Sequence, residues 1–150
     1  MKRLSRLPFL LILLVMILGC GRNQKTQGNE TATSTPAGAY RTVDVEEAYT
    51  FIQQHPEALV LDVRTPQEYT GPLGHIPGAH LKPVQQISQW VQELESMKDK
   101  PIVVICRSGA RSRMAAQFLQ EKGFRNVINV DGGMMAWNAK GLPVEKGEGQ

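Results

Sequence analysis

Cys106 stands between the apolar run Ile102-Val103-Val104-Ile105 and the segment Arg107-Ser108-Gly109-Ala110-Arg111. The β-branched run reads as a buried strand, and the spacing of Met114, Ala115, Phe118 and Leu119 reads as one face of the helix that follows. The thiol is therefore expected at the carboxyl end of a strand, in a loop that feeds a helix N-terminus. Open α/β sheets bind ligands there, and the free N–H groups and positive dipole end of the helix favour an anion. The same field favours thiolate over thiol. Arg107, Arg111 and Arg113 add positive charge, and cations or a helix start are what lower a cysteine's pKa enough to make it a nucleophile near neutral pH. Gly109 lets the loop turn. The competing reading is a small hydrophobe packed in the core, since free cysteine is among the most buried residue types. The Arg-Ser pair that follows Cys106 suits an exposed loop and favours the nucleophile.

The elements that must position this loop are legible around it. Strand 102–105, a helix to about Lys122, Gly123 as its stop and strand 127–130 compose a βαβ unit, which predicts two parallel strands with a right-handed crossover. Asp131-Gly132-Gly133 reads as a turn, and Met134 to Ala139 as a short helix ending at Gly141 before Pro143. Upstream, Asp44-Val45-Glu46-Glu47 reads as a capped helix start, with the helix ending before Pro56. Leu59 to Val63 reads as another buried strand. After a loop segment to Pro83, the apolar residues Val84, Ile87, Trp90, Val91, Leu94 and Met97 predict one helix with a core-facing stripe. No internal repeat is visible. His55, His75 and His80 lack the spacing of a metal site, and no cofactor is implied.

The chain's first residues carry a different message. Lys2, Arg3 and Arg6 precede an apolar stretch from Phe9 to Leu18, followed by Gly19-Cys20. This is the pattern of an export signal, and the stretch is short for a membrane span. It resembles a bacterial lipobox, which implies a signal peptide over 1–19 and lipidation of Cys20; the alternative is an uncleaved N-terminal anchor. Residues 20–39 are polar, rich in Thr and Gly with Gln and Asn among them, which predicts a flexible linker spanning on the order of 25 Å. Residues 40–146 then hold a single small domain, and 147–150 a disordered tail. The localisation expected is the cell envelope, exported and tethered to a bacterial membrane.

Composition excludes two classes. The chain has 17 Lys and Arg against 14 Asp and Glu, and three of the basic residues lie in the leader, so the mature chain is formally neutral. With no basic stripe interleaved with aromatics, nucleic-acid binding is dropped. With Cys20 acylated, Cys106 is the one remaining thiol, so neither an internal disulfide nor a dithiol mechanism is available.

Four motifs in order resemble a known family. They are Asp62-Val63-Arg64-Thr65-Pro66-Gln67-Glu68-Tyr69, Gly74-His75-Ile76-Pro77-Gly78-Ala79, Cys106 through Ser112, and Asp131-Gly132-Gly133 with Trp137, Gly141 and Pro143. Together they are similar to a single-domain rhodanese, from about Val43 to Val144. The resemblance implies an α/β fold with a central parallel sheet flanked by helices on both faces. It also implies a sulfurtransferase in which Cys106 takes the outer sulfur of a donor such as thiosulfate. The resulting persulfide passes that sulfur to a thiophilic acceptor, cyanide or a thiol, including a protein thiol. The N–H groups of 107–111 would then cradle the persulfide, with Arg107 and Arg111 holding the anionic donor and Ser112 capping the helix. Asp62, Arg64, Glu68 and His75 are expected to brace the loop and not to react. Thr70-Gly71-Pro72-Leu73 lengthens one motif spacing relative to the family, which bears on the approach to the loop.

Two rivals remain. A cysteine-dependent phosphatase or arsenate reductase also cradles an anion before a helix, but its usual loop has five residues between cysteine and arginine, where four separate Cys106 from Arg111. The other is a binding or sensor module without turnover, which the intact Cys106 and its arginines disfavour.

Overall fold

The computed structural model describes residues 39–147. The leader 1–19, Cys20, the linker as far as residue 38 and the last three residues of the tail lie outside the described residues.

Five strands form one sheet: β1 (Arg41–Val43), β2 (Leu59–Asp62), β3 (His80–Leu81), β4 (Ile102–Ile105) and β5 (Val127–Val130). Their order is β1-β5-β4-β2-β3 and every pairing is parallel. The helices are α1 (Val45–Gln54), α2 (Pro66–Tyr69), α3 (Ile87–Trp90), α4 (Ala110–Glu121) and α5 (Gly133–Ala139). This is the α/β architecture expected, with β4, α4 and β5 as adjacent parallel strands and their crossover.

The central strands are continuous apolar runs because both faces of the sheet are covered. In β4, Val103 and Ile105 join Val60, Ile128, Val130, Ala48, Met134 and Trp137 in one core, under α1 and α5. Ile102 and Val104 face the other way, into a core with Leu61, Trp90, Leu94, Ala115 and Leu119, under α3 and α4. Each buried aliphatic side chain contributes about 1.5–3 kcal/mol. These two cores therefore fix β4, and with it the position of Cys106 at its end.

Helix ends follow local chemistry. Asp44 caps α1, accepting from the N–H groups of Glu46 and Glu47 at 2.9 and 2.8 Å. α4 closes with paired bonds from Gly123 N–H to the Gln120 carbonyl and from Phe124 N–H to the Leu119 carbonyl, and Phe124 and Leu119 pack in the same core.

Two expectations change. The stripe from Val84 to Met97 does pack on the core, but the segment is a 3-10 turn (Val84–Gln86), then α3, then a 3-10 stretch (Val91–Met97). Its apolar residues recur every three positions, as 84, 87, 90 and 91, 94, 97, and three residues per turn is the 3-10 repeat. Met114 is not on the core-facing side of α4 but 66% exposed. α4 buries Ser112, Ala115, Ala116 and Leu119, the i, i+3, i+4, i+7 set, and Met114 falls on the opposite side of that stripe. Among the described residues no helix is long and apolar enough to cross a membrane.

Candidate active site

Cys106 follows the last residue of β4, and α4 starts at Ala110, so Arg107, Ser108 and Gly109 compose the loop between them. Gly109 precedes the helix with φ of +96°, a left-handed conformation that favours glycine. Its N–H donates to Cys106 Sγ at 3.1 Å, and the Ser112 hydroxyl lies 3.4 Å from the same sulfur. Arg107, Ser108 and Ala110 are exposed, while Cys106 itself is only 1% exposed. The loop is on the surface, as the Arg-Ser pair suggests, but the thiol is its floor.

Burial pushes the Cys106 thiol up. The Ser112 hydroxyl and the N–H groups of Ser112, Ser108 and Gly109 more than offset this, so its pKa falls below the ordinary thiol value. An inert core thiol meets no such set of donors. The sulfur accepts these hydrogen bonds, and their dipoles favour its anion.

The arginines are arranged differently from a shared anion clamp. Arg111 closes both terminal nitrogens on Glu68, at 2.7 and 2.6 Å. The Arg111 guanidinium is the chief reason the Glu68 carboxyl titrates as low as about 2. Arg113 pairs with Asp131 at 3.3 Å, both side chains being more than half exposed. Arg107 has no ion pair or side-chain hydrogen bond among the described residues. Ser112 is not the helix cap: it is buried in the first turn of α4, with its hydroxyl 3.1 Å from the Gly109 carbonyl.

The loop is held from two sides. On one side, the N–H groups of Met134 and Met135, in the first turn of α5, donate to the carbonyls of Cys106 and Arg107 at 2.8 and 3.0 Å. Gly133 makes this approach possible, because a Cβ there would lie 2.4 Å from the Cys106 carbonyl oxygen. The turn Asp131-Gly132-Gly133 is thus part of the site, a role its sequence did not suggest. On the other side stands α2, whose cap Thr65 forms a reciprocal box with Glu68. The sequence held that signal in Thr65-Pro66-Gln67-Glu68, since Ser/Thr followed three residues later by Glu marks a helix start.

Asp62 and Arg64 are wholly buried at the end of β2 and meet at 2.6 Å. Arg64 also donates to the carbonyls of Glu68 and Gly74, tying β2 to α2 and to the turn that follows. His75 makes no side-chain bond to this pair: it stacks on Tyr69 at 3.7 Å, with Nδ1 donating to the Tyr69 carbonyl. Its backbone bridges to Glu145. The segment 70–73 leaves α2, with Thr70 and Gly71 N–H donating to the Pro66 and Glu68 carbonyls, and meets α5 at Leu73, whose carbonyl accepts from Asn138. No cluster of three metal-ligating side chains occurs among the described residues.

A parallel five-stranded sheet carrying a cysteine loop at the end of a central strand defines a class, and sequence comparison agrees. The chain belongs to the rhodanese-like domain family, which matches residues 39–140. Among its relatives is a sulfurtransferase of Allochromatium vinosum, 36% identical over 107 residues that cover 71% of this chain and 96% of the relative. Another is the thiosulfate sulfurtransferase GlpE of Vibrio cholerae, 36% identical, with 69% and 92% covered. A rhodanese-related protein of Thermoplasma volcanium superposes with a TM-score of 0.60 at 34% identity, covering 69% of this chain and 96% of that one.

Proposed function

We propose that the protein is a sulfurtransferase that moves a sulfane sulfur through a Cys106 persulfide. The observation that carries this reading is the convergence of the Gly109 N–H and the Ser112 hydroxyl on Cys106 Sγ. With thiosulfate as donor, the thiolate attacks the outer sulfur. The new S–S bond forms as the bond to the sulfonate end breaks, and sulfite leaves with the electron pair. The persulfide is again an anion, and the same donors hold it. A thiophile, cyanide or a thiol that includes a protein thiol, then attacks the outer sulfur and releases the Cys106 thiolate. Thiocyanate formation from thiosulfate and cyanide, abolished by Cys106→Ser, tests the reading; turnover that persists in that variant sinks it.

We also propose that the mature protein is held at a bacterial membrane by a lipid on Cys20, in the cell envelope. The basic residues, apolar stretch and Gly19-Cys20 of the leader support this. Metabolic labelling with a palmitate analogue should mark the wild type and not Cys20→Ser; equal labelling would contradict the anchor.

A further inference from the structure

We infer that Glu68 excludes phosphate-type tetrahedral oxyanions from the Cys106 site by holding the Arg111 guanidinium that would otherwise bind them. Glu68 is thereby a specificity-determining residue, one that acts through Arg111 and touches no reacting atom. The inference rests on the sulfurtransferase reading for the substrate that the site keeps, and adds to it the class of anion that the site turns away.

Arg111 lies in the first turn of α4. Its two terminal nitrogens meet Glu68 Oε2 and Oε1 at 2.7 and 2.6 Å. The hydrogen-bonded Glu68 carboxylate chiefly, with the charge of Cys106 among the smaller causes, pushes the Arg111 pKa up, so this guanidinium is within electrostatic reach of the sulfur. A phosphate seated over Cys106 would need that planar fork, because two of its oxygens match the two parallel N–H donors. The carboxylate already occupies the fork in the way an oxyanion would.

Glu68 is held there from two directions. Its Oε2 accepts from the Thr65 N–H and hydroxyl at 3.2 and 3.3 Å, and its carbonyl accepts from Arg64 at 3.0 Å. Arg64 is itself buried on Asp62. The carboxyl titrates only at about 2, mainly because of Arg111, so at neutral pH the fork is closed by a full charge. A competitor placed by its own fold has an advantage over any anion that must arrive from solution and be ordered. A dianion would also meet a neutralised pair and not a cation. Sulfur transfer asks less of the site. The Gly109 N–H and the Ser112 hydroxyl reach Cys106 Sγ without Arg111, so a single sulfur atom can be held with the fork closed.

The test uses the full-length protein in detergent, with Glu68→Gln and the double variant Glu68→Gln/Arg111→Gln. Inorganic phosphate is titrated at fixed ionic strength, chloride replacing it, and its protection of Cys106 from iodoacetamide is measured. This readout needs no turnover, and a merely structural role for Glu68 would not create a phosphate site. Glu68→Gln should bind phosphate about ten-fold to a hundred-fold more tightly than the wild type, the worth of a charged hydrogen-bonded contact. The double variant should lose that gain. Equal protection of the wild type and Glu68→Gln, or a gain that survives in the double variant, would overturn the assignment. Sulfur loading from thiosulfate is followed on the same samples. A wild type that takes no sulfur would defeat the sulfurtransferase reading, while the phosphate comparison would still decide the role of Glu68.

Discussion

The Ser112 hydroxyl lies between two acceptors, Cys106 Sγ at 3.4 Å and the Gly109 carbonyl at 3.1 Å, and has one proton to give. A thiolate or persulfide is the stronger acceptor, so charging the sulfur draws the proton toward it. Burial raises the thiol's pKa, and this hydroxyl is foremost among the donors that bring it down. Ser112→Ala should therefore move the alkylation midpoint of Cys106 to higher pH and slow alkylation near neutrality by about ten-fold or less. A midpoint that does not move would show that the backbone N–H groups act without it.

Gly133 decides whether α5 can brace the loop. Its φ is +54°, and a Cβ would meet the Cys106 carbonyl oxygen at 2.4 Å and the Arg107 carbonyl carbon at 2.7 Å. Gly133→Ala should cost about 1–3 kcal/mol from backbone strain, with more from the clash. Urea unfolding gives the stability, and sulfur loading should fall even in the fraction that remains folded. Wild-type loading in this variant would mean that the brace is dispensable.

Breaking the Asp62–Arg64 pair should be among the most damaging single changes away from the thiol. Both groups are wholly buried, and removing one leaves the other charge without a partner, at a cost of about 3–5 kcal/mol. Arg64→Leu should lower the unfolding midpoint sharply. Exchanging both residues for apolar ones of similar volume should restore much of the loss, because the pair's desolvation offsets most of its attraction. A mild effect of the single change would contradict the structural role.

The Glu68–Arg111 pair gives stability a pH signature. The Glu68 carboxyl is held at about 2 in the folded protein, against an ordinary value of 4.5. The unfolded chain therefore binds the proton first as pH drops, and stability falls with it. The contribution is complete above about 4.5 and lost as pH falls through about 2. Both side chains retain some exposure, so solvent screening limits the pair to about 1–2 kcal/mol. Unfolding curves across this window should fall more steeply for the wild type than for Glu68→Gln; parallel curves would show that the pair contributes nothing.

The legible parts of this protein were those whose signals are local. β4, α4 and β5 announce themselves through apolar runs and a helical stripe, and α1 through Asp44 and Pro56. β1 and β3, of three and two residues, are the edge strands and are too short for any period to show. α2 carries no periodic signal in its four residues, although Thr65 and Glu68 spell its cap. Met114 is exposed although 114, 115, 118 and 119 also fit a helical spacing, because only packing tells which stripe faces the sheet. In the site, the cysteine loop was readable, but its supports were not. Glu68 and Arg111 are 43 positions apart, and Gly133 reaches Cys106 through space, leaving a glycine as its sole trace in the sequence.

The proposed activity turns on one sulfur atom carried by Cys106. Its most direct test is the intact mass of the full-length protein in detergent after incubation with thiosulfate, beside Cys106→Ser, with cyanide added in a second step. The wild type alone should gain one sulfur atom and release it as thiocyanate. A folded wild type with a free thiol that gains no sulfur, or a variant that gains as much, would contradict the account.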